Sequence, residues 1–458
     1  MSAEYKSPSS NEFDKRYLSS ASLVFEAYRG RPQIRKLHII LPTINREDHR
    51  TEQGILQKTV ESAIGVNLSG YSDIAANTVL LSDQSKEKAL AGENVTTLSL
   101  ALETINKRIY RRERNRGQLP ELPRLYYFHL GSKIVNEILL DYLGEDSPYL
   151  TARPGKGLNM YFASLVAGKE HERPEKNEVL VFWDDDHRTV TPQDMEATAL
   201  PIVTDEDMKF VKTAFDSRAH YEGAEKYSGG RVNSTLGKPI IKVLKKMKLI
   251  EADPRYPLTG DIAVSKDALY EWWFGSRYGV EMVTLLQTIS NFEAFKDTRL
   301  EPKNYMEVCI GKDFDKAHAE GKPKVEALED LKSMAQQITM NLVGAVGEEL
   351  KEKFDRDPDK FMDMLKEYNR QISHRLVMGG RKIAADFTLE ELNESILGGV
   401  GDIVYDFFKS DSADFRGKYG VDKEIIPPIN QLKEELGKEF DDLVSDLRGQ
   451  RKEIHVPA

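Results

Sequence analysis

Residues Glu178–His187 read EVLVFWDDDH. The apolar run from Val179 to Trp183 has the composition of a buried strand: short, rich in β-branched and aromatic residues, and stopped abruptly by charge. Three aspartates follow it at once. Alternate residues of an extended chain point the same way, so Asp184 and Asp186 can approach one ligand. Crowded carboxylates repel each other unless something positive sits among them. A hard divalent cation bridging two phosphates is the obvious candidate. A solvated acidic turn at a strand end is the plainer reading of the same residues.

Working outward, LHIILPT (Leu37–Thr43), NTVLLSD (Asn77–Asp83) and LYYFHL (Leu125–Leu130) are further strand candidates. Helical stretches are expected from about Glu52 to Ile64, over Thr97–Arg116 and from Leu158 onward. Strands alternating with helices predict an α/β fold: a mostly parallel sheet with helices on both faces. Ligands then bind outside the carboxyl ends of the strands. That directs attention to Pro42–Asp48, Ser82–Ser85 and Asp184–Asp186.

Upstream, residues 1–36 read as an extension, with Phe13, Tyr17 and Leu18 on one short amphipathic helix. Downstream, the character changes after about residue 325. Leu328, Leu331, Met334, Ile338 and Leu342 recur at helical spacing, as do Phe361, Leu365, Tyr368 and Ile372. Thr388 and Glu391 form a capping-box pattern, and Leu432, Leu436, Phe440, Leu443 and Leu447 make a last stripe. The expected division is therefore 1–36, 37–325 and an all-helical 326–458, whose stripes are packing faces.

At 458 residues the chain exceeds one ordinary core. It has 40% hydrophobic and 31% charged residues, which describes a globular protein rather than a disordered one. A formal net charge of -10 argues against a nucleic-acid binder. Cys309 is the only cysteine, so an internal disulfide and a multi-thiolate zinc site are excluded. With no secretory pattern and no apolar run of about 20 residues, a cytoplasmic protein without a membrane span is expected.

Two glycine-rich pieces have the composition of anion-binding loops. Gly155-Lys156-Gly157 precedes a helix, where backbone N–H groups and a lysine favour phosphate. Gly229-Gly230-Arg231-Val232-Asn233 can form a nest around an anion, with a bidentate arginine. Unaided, a tight turn with a solvated arginine is the favoured reading. Leu258-Thr259-Gly260-Asp261 joins a turn signal to an acid, and His318 gains interest only if it meets the aspartates in space. The remaining histidines (His38, His49, His129, His171, His187, His220, His374 and His455) form no ligand-spaced pair and read as structural or surface residues.

Taken in order, LPTINRED, SDQS, GKGLNM, VFWDDD, GGRVNSTLGKP, YPLTGDIA, YGVEMVTLL and GKDFDKAH followed by LEDLKSMA resemble the retaining GT-A glycosyltransferases that make glucosyl-3-phosphoglycerate. The likeness to mannosylglycerate synthase is more distant. The resemblance covers about Leu37 to Ile338. It implies a GT-A fold, a Rossmann-like, mostly parallel sheet, and a Mg2+ or Mn2+ cofactor. It also implies a nucleotide-sugar donor, a small anionic acceptor (3-phosphoglycerate or glycerate) and a homodimer.

The implied donor-side residues are Pro42, Thr43, Ile44, Asn45, Ser85, Lys156, Asp184 and Asp185. Asp186 and His318 are the implied metal ligands; Gly229, Gly230, Arg231, Val232 and Asn233 grip the acceptor. Leu258, Asp261 and Glu281 line the reacting sugar and acceptor.

Departures from the pattern bear on the substrate. Arg46 stands where an acid is usual, which leaves base selection open. Asn233 replaces threonine but still donates, and Asp261 is one methylene shorter than the usual glutamate. The Arg-Asn-Arg that often follows the metal histidine is missing, with Lys322 a candidate substitute that lacks arginine's bidentate fork. Transfer of a hexose, glucose favoured, to the 2-hydroxyl of 3-phosphoglycerate is the leading expectation. Mannosyl transfer from GDP-mannose to glycerate or glucosyl-3-phosphoglycerate is the alternative. A haloacid-dehalogenase-type phosphatase is more remote, because Arg188 fills the position where its motif needs Thr or Val. A non-catalytic sugar-nucleotide binder fits poorly with an intact DDD and His318.

Overall fold

A computed structural model describes residues 16–43, 49–68, 72–84, 107, 109–111, 122–167, 177–185, 187, 189–215, 217–220, 230–315, 323–378 and 387–454. The strands in chain order are β1 (Tyr17–Leu18), β2 (Lys36–Thr43), β3 (Ala76–Asp83), β4 (Arg124–His129), β5 (Glu178–Phe182), β6 (Phe210–Ala214) and β7 (Ser217–His220). Then come β8 (Ile262–Ser265), β9 (Phe274–Gly275), β10 (Tyr305–Cys309), β11 (Lys312–Asp315), β12 (Ile425–Ile426) and β13 (Lys452–Glu453).

Nine of them form one sheet in the order β1-β10-β6-β8-β5-β2-β3-β4-β13. Only β8 and β13 run against the rest. The expected α/β fold with a mostly parallel sheet is what the chain builds. Alternation explains how it packs. Ile40, Leu80, Tyr126, Phe128, Leu180 and Phe182 face one apolar layer. Leu37, Ile39, Leu41, Val79, Leu81, Val179 and Val181 face the other. The helices Ala21–Tyr28, His49–Gly65 and Pro192–Thr204 cover the second layer. Lys156–Val166, Lys238–Lys246 and Val280–Ile289 cover the first.

The C-terminal stretch is predominantly helical: Lys324–Lys353, Pro358–Met378, Leu389–Lys409, Ser412–Tyr419, Ile429–Leu436 and Glu439–Gly449. The capping box at Thr388 and Glu391 is present. Leu331, Ile338, Phe361, Leu365, Leu432, Phe440, Leu443 and Leu447 join the same apolar cluster as the sheet's inner face. Two short strands break the helical run. β12 pairs with β9, and β13 adds an antiparallel edge to β4.

Tyr17 and Leu18 correct the reading of the N-terminal stretch. They form a strand paired with Glu307 and Val308, and the helix begins only at Ala21, capped by Ser20. The ring of Tyr17 lies under the Arg255 guanidinium, 3.8 Å from its central carbon, which holds this edge strand against the neighbouring turn. Phe13 and most of Thr97–Arg116 lie outside the described residues. No helix among the described residues is long and apolar enough to cross a membrane.

Candidate functional site

β2, β3 and β5 end on the same side of the sheet because they are parallel neighbours. The helix Lys156–Val166 is tied to two of these ends by one buried side chain. Asn159 Nδ2 donates to the carbonyl oxygens of Thr43 and Ser82, each at 2.9 Å, and Asn159 Oδ1 accepts from Ser82 Oγ at 2.5 Å. Gly155 N–H donates to Gln84 Oε1 at 3.0 Å. Thr43 Oγ1 is buried with no hydrogen-bond partner among the described residues. Pro42 and Thr43 are thus brought to the helix that opens with Lys156. Ile44, Asn45, Arg46 and Ser85 lie outside the described residues.

That helix starts at Lys156, two residues earlier than the sequence pattern suggests. Its cap, Gly155, leaves space that Arg277 fills: a Cβ there would fall 2.6 Å from Arg277 Cγ. Gly157 has even less room, with the carbonyl oxygen of Gly275 1.6 Å from where its Cβ would stand. Both glycines are required by close approach.

The centre of the site is ionic. Lys156 Nζ lies 2.5 Å from Asp184 Oδ1 and 2.8 Å from Glu281 Oε1. Burial by itself would lower the lysine's pKa; the two carboxylates outweigh it and hold the ammonium above its ordinary value. The pair is not sealed, since the side chains of Asp184 and Lys156 remain 22% and 13% exposed. Gly260 passes beneath, where a Cβ would stand 1.8 Å from Lys156 Nζ. Glu281 sits in the first turn of its helix, whose N-terminal dipole favours an anion.

Asp261 is fully buried and committed. Its Oδ1 accepts from the Asp184 N–H at 2.9 Å and lies 3.0 Å from His187 Nε2. Its Oδ2 accepts from Thr259 Oγ1 at 3.1 Å. Because β8 is antiparallel to β5, with Phe182 opposite Ile262, the residue before β8 lands beside the end of β5. Asp184, His187 and Asp261 place one ligand-type atom each within 4.8 Å of one another. The hydrogen bonds to Asp261 make it an organiser of the turn more than an available ligand. Asp185, which follows Asp184 in sequence, is buried.

His187, read from sequence as structural or surface, is the former: it is 1% exposed and stacks on Phe215 at 5.8 Å. Its position immediately after the three aspartates was the available signal. Lys212, in the middle of β6, was missed. Its Nζ donates to the Thr259 carbonyl at 3.2 Å. Burial pushes its pKa down to about 8, against the charges of Glu281, Glu307 and Asp261.

The loop that opens with Gly230 is stitched to the same turn. Gly230 N–H donates to Tyr256 Oη at 2.6 Å, and Leu258 N–H donates to Asn233 Oδ1 at 3.1 Å. Asn233 opens a π-helical turn, Asn233–Gly237, a local departure often found at functional sites. Its Nδ2 is buried without a hydrogen-bond partner among the described residues. Arg231 and Val232 are buried beside it, the guanidinium 5.8 Å from the Phe387 ring. Leu258 is buried against Gly237. Gly229, Asp186, His318 and Lys322 lie outside the described residues.

No family model and no curated relative matches the chain. Among solved structures, it is similar to glucosyl-3-phosphoglycerate synthase from Mycobacterium tuberculosis in complex with Mn2+, UDP and glucosyl-3-phosphoglycerate. That match has 19% identity over 72% of this chain and 84% of that one, at a TM-score of 0.42. The same enzyme with Mg2+ and UDP matches at 19% identity, 72% and 86% coverage and a TM-score of 0.42. With Mn2+, UDP-glucose and phosphoglyceric acid the TM-score is 0.41, at 19% identity, 72% and 84% coverage.

Proposed function

We propose that the chain is a retaining GT-A hexosyltransferase that moves a hexose, glucose favoured, from a nucleotide diphosphate sugar to the 2-hydroxyl of 3-phosphoglycerate. One observation carries this reading. Four of the motifs behind the resemblance (GKGLNM, VFWDDD, YPLTGDIA and YGVEMVTLL) meet at Lys156 Nζ, although Glu281 is 125 residues away in sequence. Asp184 and Glu281 reach it directly, and Gly260 passes beside it.

In this reading the donor lies across the ends of β2, β3 and β5, with Pro42, Thr43, Ile44, Asn45, Ser85, Asp184 and Asp185 along its nucleoside side. Lys156 offers its ammonium to the diphosphate. Leu258, Asp261 and Glu281 flank the sugar, and Asp261, held by Thr259 and His187, fixes the turn. Gly229 to Asn233 receives the acceptor, Arg231 by charge and Asn233 through its unpaired Nδ2.

The donor chemistry present, a part-exposed Asp184 carboxylate oxygen, suits Mg2+ or Mn2+. Asp186 and His318 are the proposed protein ligands, and the cation would neutralise charge on the departing diphosphate. The anomeric carbon–phosphate oxygen bond breaks and the bond to the acceptor oxygen forms on the same face. The acceptor's proton passes to the leaving phosphate. The proposed organisation is 1–36 extension, 37–325 transferase and 326–458 helical region, in a cytoplasmic homodimer.

The test is product formation with Mg2+ or Mn2+, 3-phosphoglycerate or glycerate, and a panel of UDP- and GDP-sugars. A phosphorylated glycosyl product from one donor is expected. Transfer only to glycerate or to a glycosylated acceptor would remove the phosphate role of Arg231. Phosphate release from sugar phosphates without a nucleotide would replace the reading with a phosphatase.

A further inference from the structure

We infer that Glu424, in the C-terminal helical region, is a positioning residue that sets Lys156 onto Asp184 and Glu281; this rests on the site proposed above. Glu424 is fully buried yet anchors two arginines. Its Oε1 lies 3.0 Å from Arg153 Nη1 and 2.9 Å from Arg277 Nη2. Its Oε2 accepts from Ser276 Oγ at 3.0 Å and Asn341 Nδ2 at 3.3 Å. The backbone joins in: Ser276 N–H donates to the Glu424 carbonyl at 2.8 Å, and Arg153 N–H donates to that of Lys423 at 3.0 Å.

These partners bracket Lys156 from both sides. Arg153 lies in the turn that leads into the Lys156–Val166 helix. Arg277 fills the space over Gly155, and Leu158 N–H donates to the Ser276 carbonyl at 3.0 Å. β9, on whose Gly275 carbonyl Gly157 rests, is paired on its other edge by β12, the two residues after Glu424. The same segment leads into the helix bearing Glu281. Asn341 is wedged between Gly275 and Gly279, where Cβ atoms would stand 2.3 Å from its Oδ1 and 2.1 Å from its Cγ. One carboxylate therefore fixes the seat of the lysine and the start of the helix that holds its second acid. A buried charge shared by two cations is costly to unbalance, so the arrangement has one geometry.

Competitive acetylation with acetic anhydride, read lysine by lysine by mass spectrometry, tests this without any ligand, because only the unpaired free amine reacts. In Glu424→Gln, Lys156 labelling should rise about tenfold, the scale of a coupling within one hydrogen-bond and salt-bridge network. Lys266, buried at the other end of β5, should be unchanged. Unchanged labelling of Lys156, or an equal rise at Lys266, would overturn the inference. If Glu424→Gln does not fold, Arg153→Met, which removes the more exposed arm, is read the same way. Calorimetry with UDP or GDP and Mn2+ then separates the two claims. Loss of Lys156 protection in a protein that binds neither nucleotide would leave the positioning role standing and sink the functional reading.

Discussion

The two ends of β5 carry the same chemistry in opposite settings. At its first residue, Glu178 is buried with Lys266 Nζ on Oε2 and His38 Nε2 3.7 Å from Oε1. Two residues past its last, Asp184 is paired with Lys156 but keeps a fifth of its side chain in contact with solvent. The first pair lies under the Lys266–Tyr270 helix, while the second lies where parallel strands stop and loops begin. A closed pair is a structural fixture whose loss is felt as unfolding. An open pair of the same kind can exchange partners with a ligand, which is why its end of the strand is the candidate site.

The comparison breaks most decisively through stability. Glu178→Gln leaves Lys266 buried without its partner and should cost about 3–5 kcal/mol in chemical denaturation. Asp184→Asn should change the midpoint far less; equal losses would erase the distinction between the two ends. Acid should weaken the closed end. Burial would raise the Glu178 carboxyl, but His38 and Lys266 outweigh it and bring it to about 2. A depressed folded pKa stabilises above the unfolded value of 4.5 and loses that stability as pH falls toward 2. The contribution is on the order of 3 kcal/mol. Burial also lowers the His38 pKa, so the unfolded chain takes up a proton first as pH drops below 6.5, which adds in the same direction. Denaturation midpoints of wild type and Glu178→Gln should therefore converge near pH 2.

At the open end the effects are functional. Lys156→Met should reduce kcat/KM for transfer about 100-fold, or ~2.7 kcal/mol of transition-state stabilisation, with a near-normal melt. A collapse of stability with unchanged turnover per folded molecule would place Lys156 with Glu178 as a fixture. The smallest expected change sharpens the proposed acceptor side. Asn233→Ala removes an unpaired buried donor and the acceptor for Leu258 N–H. It should raise the acceptor KM about tenfold, ~1.4 kcal/mol, leaving the donor KM in place. A selective rise in donor KM would move Asn233 out of the acceptor pocket.

Much of this architecture was legible in local pattern. β2, β3, β4 and β5 announce themselves as apolar runs ended by polar residues, and the Thr388 capping box is a four-residue signal. β6, β8 and β10 were not called from pattern. Ile262–Ser265 is four residues long, too short for any period to show, and Phe210–Ala214 carries Lys212 at its centre. A buried lysine looks like a solvated one until the Thr259 carbonyl and the acids around it are seen. The partner of His187 was hidden for a related reason: Asp261 lies 74 residues further on.

The sequence by itself determined the alternation of strands and helices, the mostly parallel sheet, and the glycines and acids available at its edge, because burial periodicity and turn chemistry are local properties. Only the tertiary structure decided that β8 inserts against the grain beside β5, which carries Asp261 to Asp184. It also decided that Glu424 reaches back from the helical region to the seat of Lys156. Contacts between residues 74 to more than 100 positions apart leave no periodic trace in the chain. They exist because charged groups buried by packing must find partners wherever the fold brings them.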